Sequence, residues 1–200
     1  RLTMKNVKEV LRRCIKEESA ALLYLADTID EIDIQFLDKI KDCKGNVIFS
    51  GIGKSLMVGN KIAGTLSSIG VTALSISTTD MLHGNIGMLR PNDVLILISN
   101  SGETLEVIEL VKHLKSIGDN TILSITGNRD STLANLSEIS KEIKTSEAGP
   151  FAIVPTSSTT AVMAYGDALA TALVHISGLP ISTFRTYHPG GKIGSMIHTE

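Results

Sequence analysis

Val94-Leu-Ile-Leu-Ile-Ser99-Asn-Ser-Gly-Glu-Thr104 is an unbroken apolar run that ends in three hydroxyl side chains, an amide and a glycine. Five apolar residues without alternation mark a strand covered on both faces, as in a parallel sheet. A helical pattern follows over Glu103 to Ile117. A strand that runs through such a turn into a helix aims backbone N–H groups and short donors at one point, which is how a chain holds a phosphate. A simple N-cap at Ser101, with Glu103 in the first turn, accounts for one hydroxyl. Ser99, Asn100, Ser101, Gly102 and Thr104 together exceed that need.

The same unit recurs on either side. Val47-Ile-Phe49 leads through Gly51 and Gly53 into Ile62, Ala63, Leu66 and Ile69 at helical period. Further strands are expected at Thr72 to Ile76 and Thr121 to Ile125, the latter before a short helix near Ser131 to Leu136. A polar fifth strand is expected near Glu142 to Lys144, as suits a sheet edge. A long helix is expected from Ser157 to Ser177, with Val162, Tyr165, Leu169 and Leu173 on one stripe. The first 42 residues read as two or three helices, with Val7, Val10, Leu11 and Ile15 in one apolar group and Leu22, Leu23, Leu25 and Ala26 in another. Alternating strands and helices build an α/β fold of three layers, a parallel sheet between two helical layers. Ligands then bind outside the carboxyl ends of the strands, where the Gly51 turn and the Ser99 loop both lie.

Composition narrows the partners. The 200 residues are 42% hydrophobic and carry a formal charge of -2, enough for one sizeable core. No block of Lys or Arg would track a nucleic-acid backbone, so the expected partner is a small molecule, not nucleic acid or membrane. Two cysteines, Cys14 and Cys43, form neither a disulfide framework nor a metal motif and suit a cytoplasmic protein. No apolar stretch approaches the roughly 20 residues that cross a bilayer.

Gly51-Ile-Gly-Lys-Ser55 invites a nucleotide reading that its spacing refuses. A P-loop requires glycine where Ile48 stands, and the dinucleotide fingerprint requires a small residue where Leu56 stands. What survives is a tight turn that brings Gly53, Lys54 and Ser55 to a helix N-terminus, where the macrodipole disfavours a bare cation and a nearby anion relieves it. A solvated surface lysine fits the same pattern. Glu106 reads by spacing as an ordinary solvated acid one turn along its helix. His83 and His188 sit in glycine-rich loops with access to a ligand, although a loop histidine is often structural. Glu147 precedes Pro155-Thr-Ser-Ser-Thr-Thr160, whose helix start is a second anion site or a plain cap by Thr156 or Ser157.

Gly-Ile-Gly-Lys-Ser, the His-Gly before Ile86, Ser-Asn-Ser-Gly-Glu-Thr, Glu-Ala-Gly-Pro, Pro-Thr-Ser-Ser-Thr-Thr, Gly-Asp-Ala-Leu-Ala and His-Pro-Gly-Gly follow one another in an order that resembles the sugar isomerase (SIS) domain. More narrowly, the chain resembles the D-arabinose 5-phosphate isomerase branch from about Val7 to Ser195. The resemblance implies a flavodoxin-like five-stranded sheet, one SIS domain over residues 1–200 that includes the helices of residues 1–42, and a homotetramer with sites shared between subunits. Residue by residue it makes Gly53, Ser55, Ser99, Asn100, Ser101, Thr104 and Ser158 the sugar-phosphate cradle, with His83 also at the site. It makes Lys54, Glu106, Glu147 and His188 the catalytic set. Asp80 and Asn85 depart from the family's usual glutamate and aspartate around the first histidine, and Gly149 replaces a common cysteine. These positions bear on the sugar end. The paired CBS module of longer relatives is not among these 200 residues.

The implied reaction interconverts an aldose phosphate and a ketose phosphate through a cis-enediol, most simply D-arabinose 5-phosphate and D-ribulose 5-phosphate, with side chains alone and neither cofactor nor metal. Glu147 is the expected base, its pKa raised by partial burial. His188 opens the ring or shuttles protons, Lys54 stabilises the enediolate, and Glu106 positions a hydroxyl. Two alternatives remain open on sequence. One is a non-catalytic sugar-phosphate sensor on the same fold; the other is an isomerase of a different sugar phosphate.

Overall fold

The computed structural model describes residues 4–190. Helices α1 (Met4–Asp27) and α2 (Glu31–Lys41) precede β1 (Val47–Gly51), α3 (Lys54–Ser67), β2 (Ala73–Ser77) and α4 (Thr78–Leu82). After a 3-10 turn at Asn85–Met88 come β3 (Val94–Ser99), α5 (Leu105–Ile117), β4 (Thr121–Thr126), α6 (Thr132–Leu136), β5 (Ile139–Glu142), α7 (Ser157–Ser177) and α8 (Ile181–Tyr187). The sheet is wholly parallel in the order β2-β1-β3-β4-β5. That order reverses direction between β1 and β3, which opens a crevice at their carboxyl ends.

Every residue of β3 is buried, as its unbroken apolar run requires. Successive side chains alternate between faces. Val94, Ile96 and Ile98 pack with α2, α3 and α7, through Phe36, Ile62, Leu66, Tyr165 and Leu169. Leu95 and Leu97 pack on the other face against Val107, Leu110, Val111 and Leu114 of α5. The two helical layers are thereby anchored on opposite sides of one strand.

Helices α3 and α7 cross closely because Gly166 has no side chain. A Cβ there would lie 2.4 Å from Cγ1 of Ile62, which is fully buried. Gly166→Ala is expected to destabilise by about 1–3 kcal/mol through overpacking, despite alanine's better helix propensity. Chemical denaturation checks this.

The fifth strand departs from its expected bounds: it is Ile139–Glu142, not Glu142 to Lys144. It is an edge strand as expected, but Lys141 within it is buried, and its Nζ donates to Asp33 Oδ2 at 2.9 Å and to the Thr28 carbonyl at 3.2 Å. The ammonium also sits 5.5 Å from the centre of the Tyr165 ring. Burial, then the Asp33 carboxylate, push the Tyr165 phenol far up, so it stays neutral. Asp33 Oδ2 accepts the Asp30 N–H too, closing a capping box at the start of α2. Lys141 thus ties β5 to α2 and α7.

Val7, Val10, Leu11 and Ile15 of α1 are 40–71% exposed, so this apolar group faces away from the body of the chain. The partly buried stripe is Cys14, Glu17, Glu18, Ala21 and Leu22, ending at buried Leu25. The first 42 residues form two helices, within the expected two or three. Among the described residues no helix is long and apolar enough to cross a membrane. Gly191, the last residue of His-Pro-Gly-Gly, lies outside the described residues.

Candidate functional site

Ser99 closes β3 and is buried. Its Oγ lies 2.8 Å from Thr104 Oγ1 and accepts the Gly102 N–H at 3.1 Å. Gly102 has a φ of +65°, and a Cβ on it would lie 2.1 Å from Ser131 Oγ, so the turn admits only glycine without rearrangement. The loop is also tied outward: Asn100 O accepts the Gly127 N–H, Gly102 O the Leu133 N–H, and Glu103 Oε1 the Thr132 N–H. Ser101 is not the cap of α5. Its Oγ accepts the Glu103 N–H instead, and Thr104 holds the N-cap position with no side-chain cap bond.

Across the crevice, Gly53 has a φ of +59° and stands at the N-cap of α3, also without a side-chain cap. Lys54 is therefore the first residue of α3 and exposed, and Ser55 is half-buried beside it. Gly51 allows the end of β1 to approach β3, since a Cβ there would lie 2.9 Å from Ile98 O. Ser55, Asn100 and Ser158 then line one hollow, together with Thr126 and Thr159.

Glu147 forms the wall next to it. Its Oε2 accepts the Thr156 N–H at 2.8 Å, the Thr156 hydroxyl at 3.1 Å and the Ser158 N–H at 3.2 Å, while Ser158 Oγ donates to Oε1. The carboxylate is thus the side-chain partner of the α7 N-terminus, where Thr156 gives no cap of its own. Partial burial is the largest single influence on the Glu147 carboxyl and pushes it up. The hydrogen bonds from Ser158 Oγ, then Thr156 N–H, Ser158 N–H and Thr156 Oγ1, outweigh it and hold the group below its ordinary value near 4.5. This reverses the expected direction: donors at a helix N-terminus favour the charged form more than the burial penalises it.

Comparison with known proteins places these features in a family. The SIS domain profile matches residues 39–172. The chain belongs to the SIS domain family. "Arabinose 5-phosphate isomerase KpsF" of Escherichia coli O6:H1 strain CFT073 is 44% identical over 191 residues, which is 94% of this chain and 58% of that protein. "Arabinose 5-phosphate isomerase KdsD" of Shigella flexneri is 37% identical over 194 residues, 96% of this chain and 57% of that protein. The chain therefore spans somewhat under three fifths of the length of these relatives. Among solved structures, the E. coli CFT073 protein c3406 in complex with arabinose 5-phosphate superposes with a TM-score of 0.89 at 33% identity, covering 94% of this chain and all of that one.

Not every expected site residue meets in one copy of this SIS chain. His83 is the exposed C-cap of α4, just beyond the carboxyl end of β2, and Glu106 lies exposed in the first turn of α5. His188 follows α8, with Nδ1 2.8 Å from Phe184 O and its ring stacked on Phe184 at 4.1 Å. The neighbouring Tyr187 ring abuts Gly70, between α3 and β2, which is the amino end of the sheet. Within one chain, His188 and Glu147 therefore belong to opposite ends of the sheet. Thr126 and Thr159 were missed on sequence. Thr126 ends β4 as Ser99 ends β3 and so was findable by the same rule, whereas Thr159 looked like one more hydroxyl in a hydroxyl-rich helix start.

Proposed function

We propose that this chain is a phosphosugar isomerase that interconverts D-arabinose 5-phosphate and D-ribulose 5-phosphate, in the cytoplasm, as a homotetramer whose copies complete one another's sites. The observation that carries the reading is that Ser55, Asn100 and Ser158 share one hollow at the sheet's switch point, with the Glu147 carboxylate hydrogen-bonded to Ser158. Similarity to named arabinose 5-phosphate isomerases over most of the chain supports the substrate.

In this reading the phosphate sits on the Ser99–Thr104 loop and the sugar extends towards α7. Glu147 takes the proton from C2 of the open-chain aldose, leaving a cis-enediolate whose charge Lys54 neutralises. A proton passes from O2 to O1, and Glu147 returns its proton to C1 to give the ketose. Gly53, Ser55, Ser99, Asn100, Ser101, Thr104 and Ser158 bind substrate, Glu106 orients a hydroxyl, and His83 and His188 reach the site across subunit boundaries. The distance of His188 from Glu147 within one chain and the exposed stripe on α1 both support a shared site. The test is an NMR assay of purified protein with D-arabinose 5-phosphate beside other pentose and hexose phosphates, with the mass in solution measured in parallel. Turnover of arabinose 5-phosphate by a tetramer is expected; binding without turnover of any sugar overturns the enzyme reading in favour of a sensor.

The depressed Glu147 carboxyl sets a pH dependence. A carboxyl whose folded value lies below its unfolded value adds stability that is complete above the unfolded value, near 4.5, and is lost as pH falls through the folded one. Glu147→Gln is therefore expected to be less stable than wild type at pH 7, with the gap shrinking as the pH is taken well below 4.5. Thermal unfolding across that range checks the sign.

A further inference from the structure

Helix α1 turns two acids, not its apolar group, towards the body of the chain. Glu17 and Glu18 are partly buried on the stripe that ends in Ala21, Leu22 and Leu25, where helical spacing ordinarily places apolar residues. Charged groups in such positions are costly unless their oxygens are used. Here both are used, and on the same target. Glu17 Oε2 accepts the Gly149 N–H at 3.1 Å, while its Oε1 accepts from Arg13 Nε at 2.6 Å. Glu18 Oε2 accepts the Thr160 hydroxyl at 3.0 Å.

Gly149 lies two residues beyond Glu147, and Thr160 lies one turn beyond Thr156, whose carbonyl accepts the Thr160 N–H. The two anchors therefore hold the two arms of the Glu147 cradle, the loop that carries the carboxylate and the helix start that donates to it. Successive helical residues diverge by about 100°, so an adjacent pair can span both arms. Gly149 has a φ of +96°, so its N–H direction depends on a conformation that glycine alone adopts readily.

We propose that Glu17 and Glu18 are positioning residues for the Glu147 carboxylate, clamping its loop and its helix from α1 without touching substrate. This rests on the isomerase reading of Glu147. Glu17 is itself held as a carboxylate, first by the Arg13 hydrogen bond and then by the Gly149 N–H, so the clamp is charged at neutral pH.

The experiment compares wild type with Glu17→Ala, Glu17→Gln and Thr160→Val, reading kcat and KM for arabinose 5-phosphate and the titration of the Glu147 carboxyl carbon by NMR. A small misplacement of a catalytic group costs up to about 100-fold, so Glu17→Ala and Thr160→Val are each expected to lower kcat about 10-fold with KM within about 2-fold. The Glu147 titration moves upward as its donors loosen. Glu17→Gln regains most of the rate, because the amide oxygen still accepts from Gly149. Equal losses in Glu17→Gln and Glu17→Ala, or kcat within about 2-fold of wild type with an unmoved Glu147 titration, overturn the clamp. Thr160→Val decides it should Glu17→Ala fail to fold. An inactive wild type defeats the isomerase reading alone, since the titration still reads the clamp.

Discussion

Glu147→Gln is expected to lower kcat for arabinose 5-phosphate by about 100-fold or more, the usual cost of losing a positioned base. The substitution is nearly isosteric, and the amide oxygen can still accept from Thr156 or Ser158, so the loss falls on proton transfer rather than on the cradle. KM is expected to change little, since in the proposed reading the phosphate is held by a separate loop at the end of β3. Steady-state kinetics with a hydrogen–deuterium exchange assay at C2 separates the outcomes: a variant that binds but does not exchange identifies Glu147 as the base. A kcat within a few-fold of wild type would move that role to another residue, with Glu106 the next carboxylate to replace.

The second large effect concerns stability. Asp33→Ala is expected to destabilise by about 3–5 kcal/mol, because it leaves the Lys141 ammonium buried with the Thr28 carbonyl as its hydrogen-bond partner. A domain has about 5–15 kcal/mol in total, so this approaches the margin of folding. Asp33→Asn keeps the size and an acceptor for the Asp30 N–H, and so isolates the charge from the capping box. Replacing both partners, as Asp33→Leu with Lys141→Met, is expected to restore most of the loss, since an apolar pair bears no desolvation cost. Urea denaturation of the four proteins measures these differences; a loss under about 1 kcal/mol for Asp33→Ala would show that water reaches the pair.

The contrast between Lys141 and β3 shows what the sequence could reveal. Val94 to Ile98 announces a doubly covered strand because every residue obeys one rule, and the hydroxyls after it mark the turn because no strand or helix needs them. Lys141 obeys the opposite rule locally and is buried only because Asp33, 108 positions earlier, comes to meet it. No local pattern carries that pairing. Glu147 is similar: its place in the sequence suggested a site, but the direction of its pKa depends on which donors surround it, and those come from a helix that begins ten residues later. On α1, helical periodicity reports that a face is apolar, not what covers it. Val7, Val10, Leu11 and Ile15 form such a face, and the acids beside them are the ones that accept from Gly149 and Thr160.

The loop Ser99–Thr104 is fastened within itself through Ser99 and Gly102, to the β4–α6 connection through Gly127, and to the start of α6 through Thr132 and Leu133. Its conformational freedom is surrendered once, when the chain folds, and not again at each encounter with an anion. In the proposed reading, association at that end of the crevice then bears little ordering cost, and differences in affinity between sugar phosphates originate beyond the phosphate, in how each carbon chain meets the helix opposite. Discrimination and grip are in this way assigned to separate parts of the same crevice.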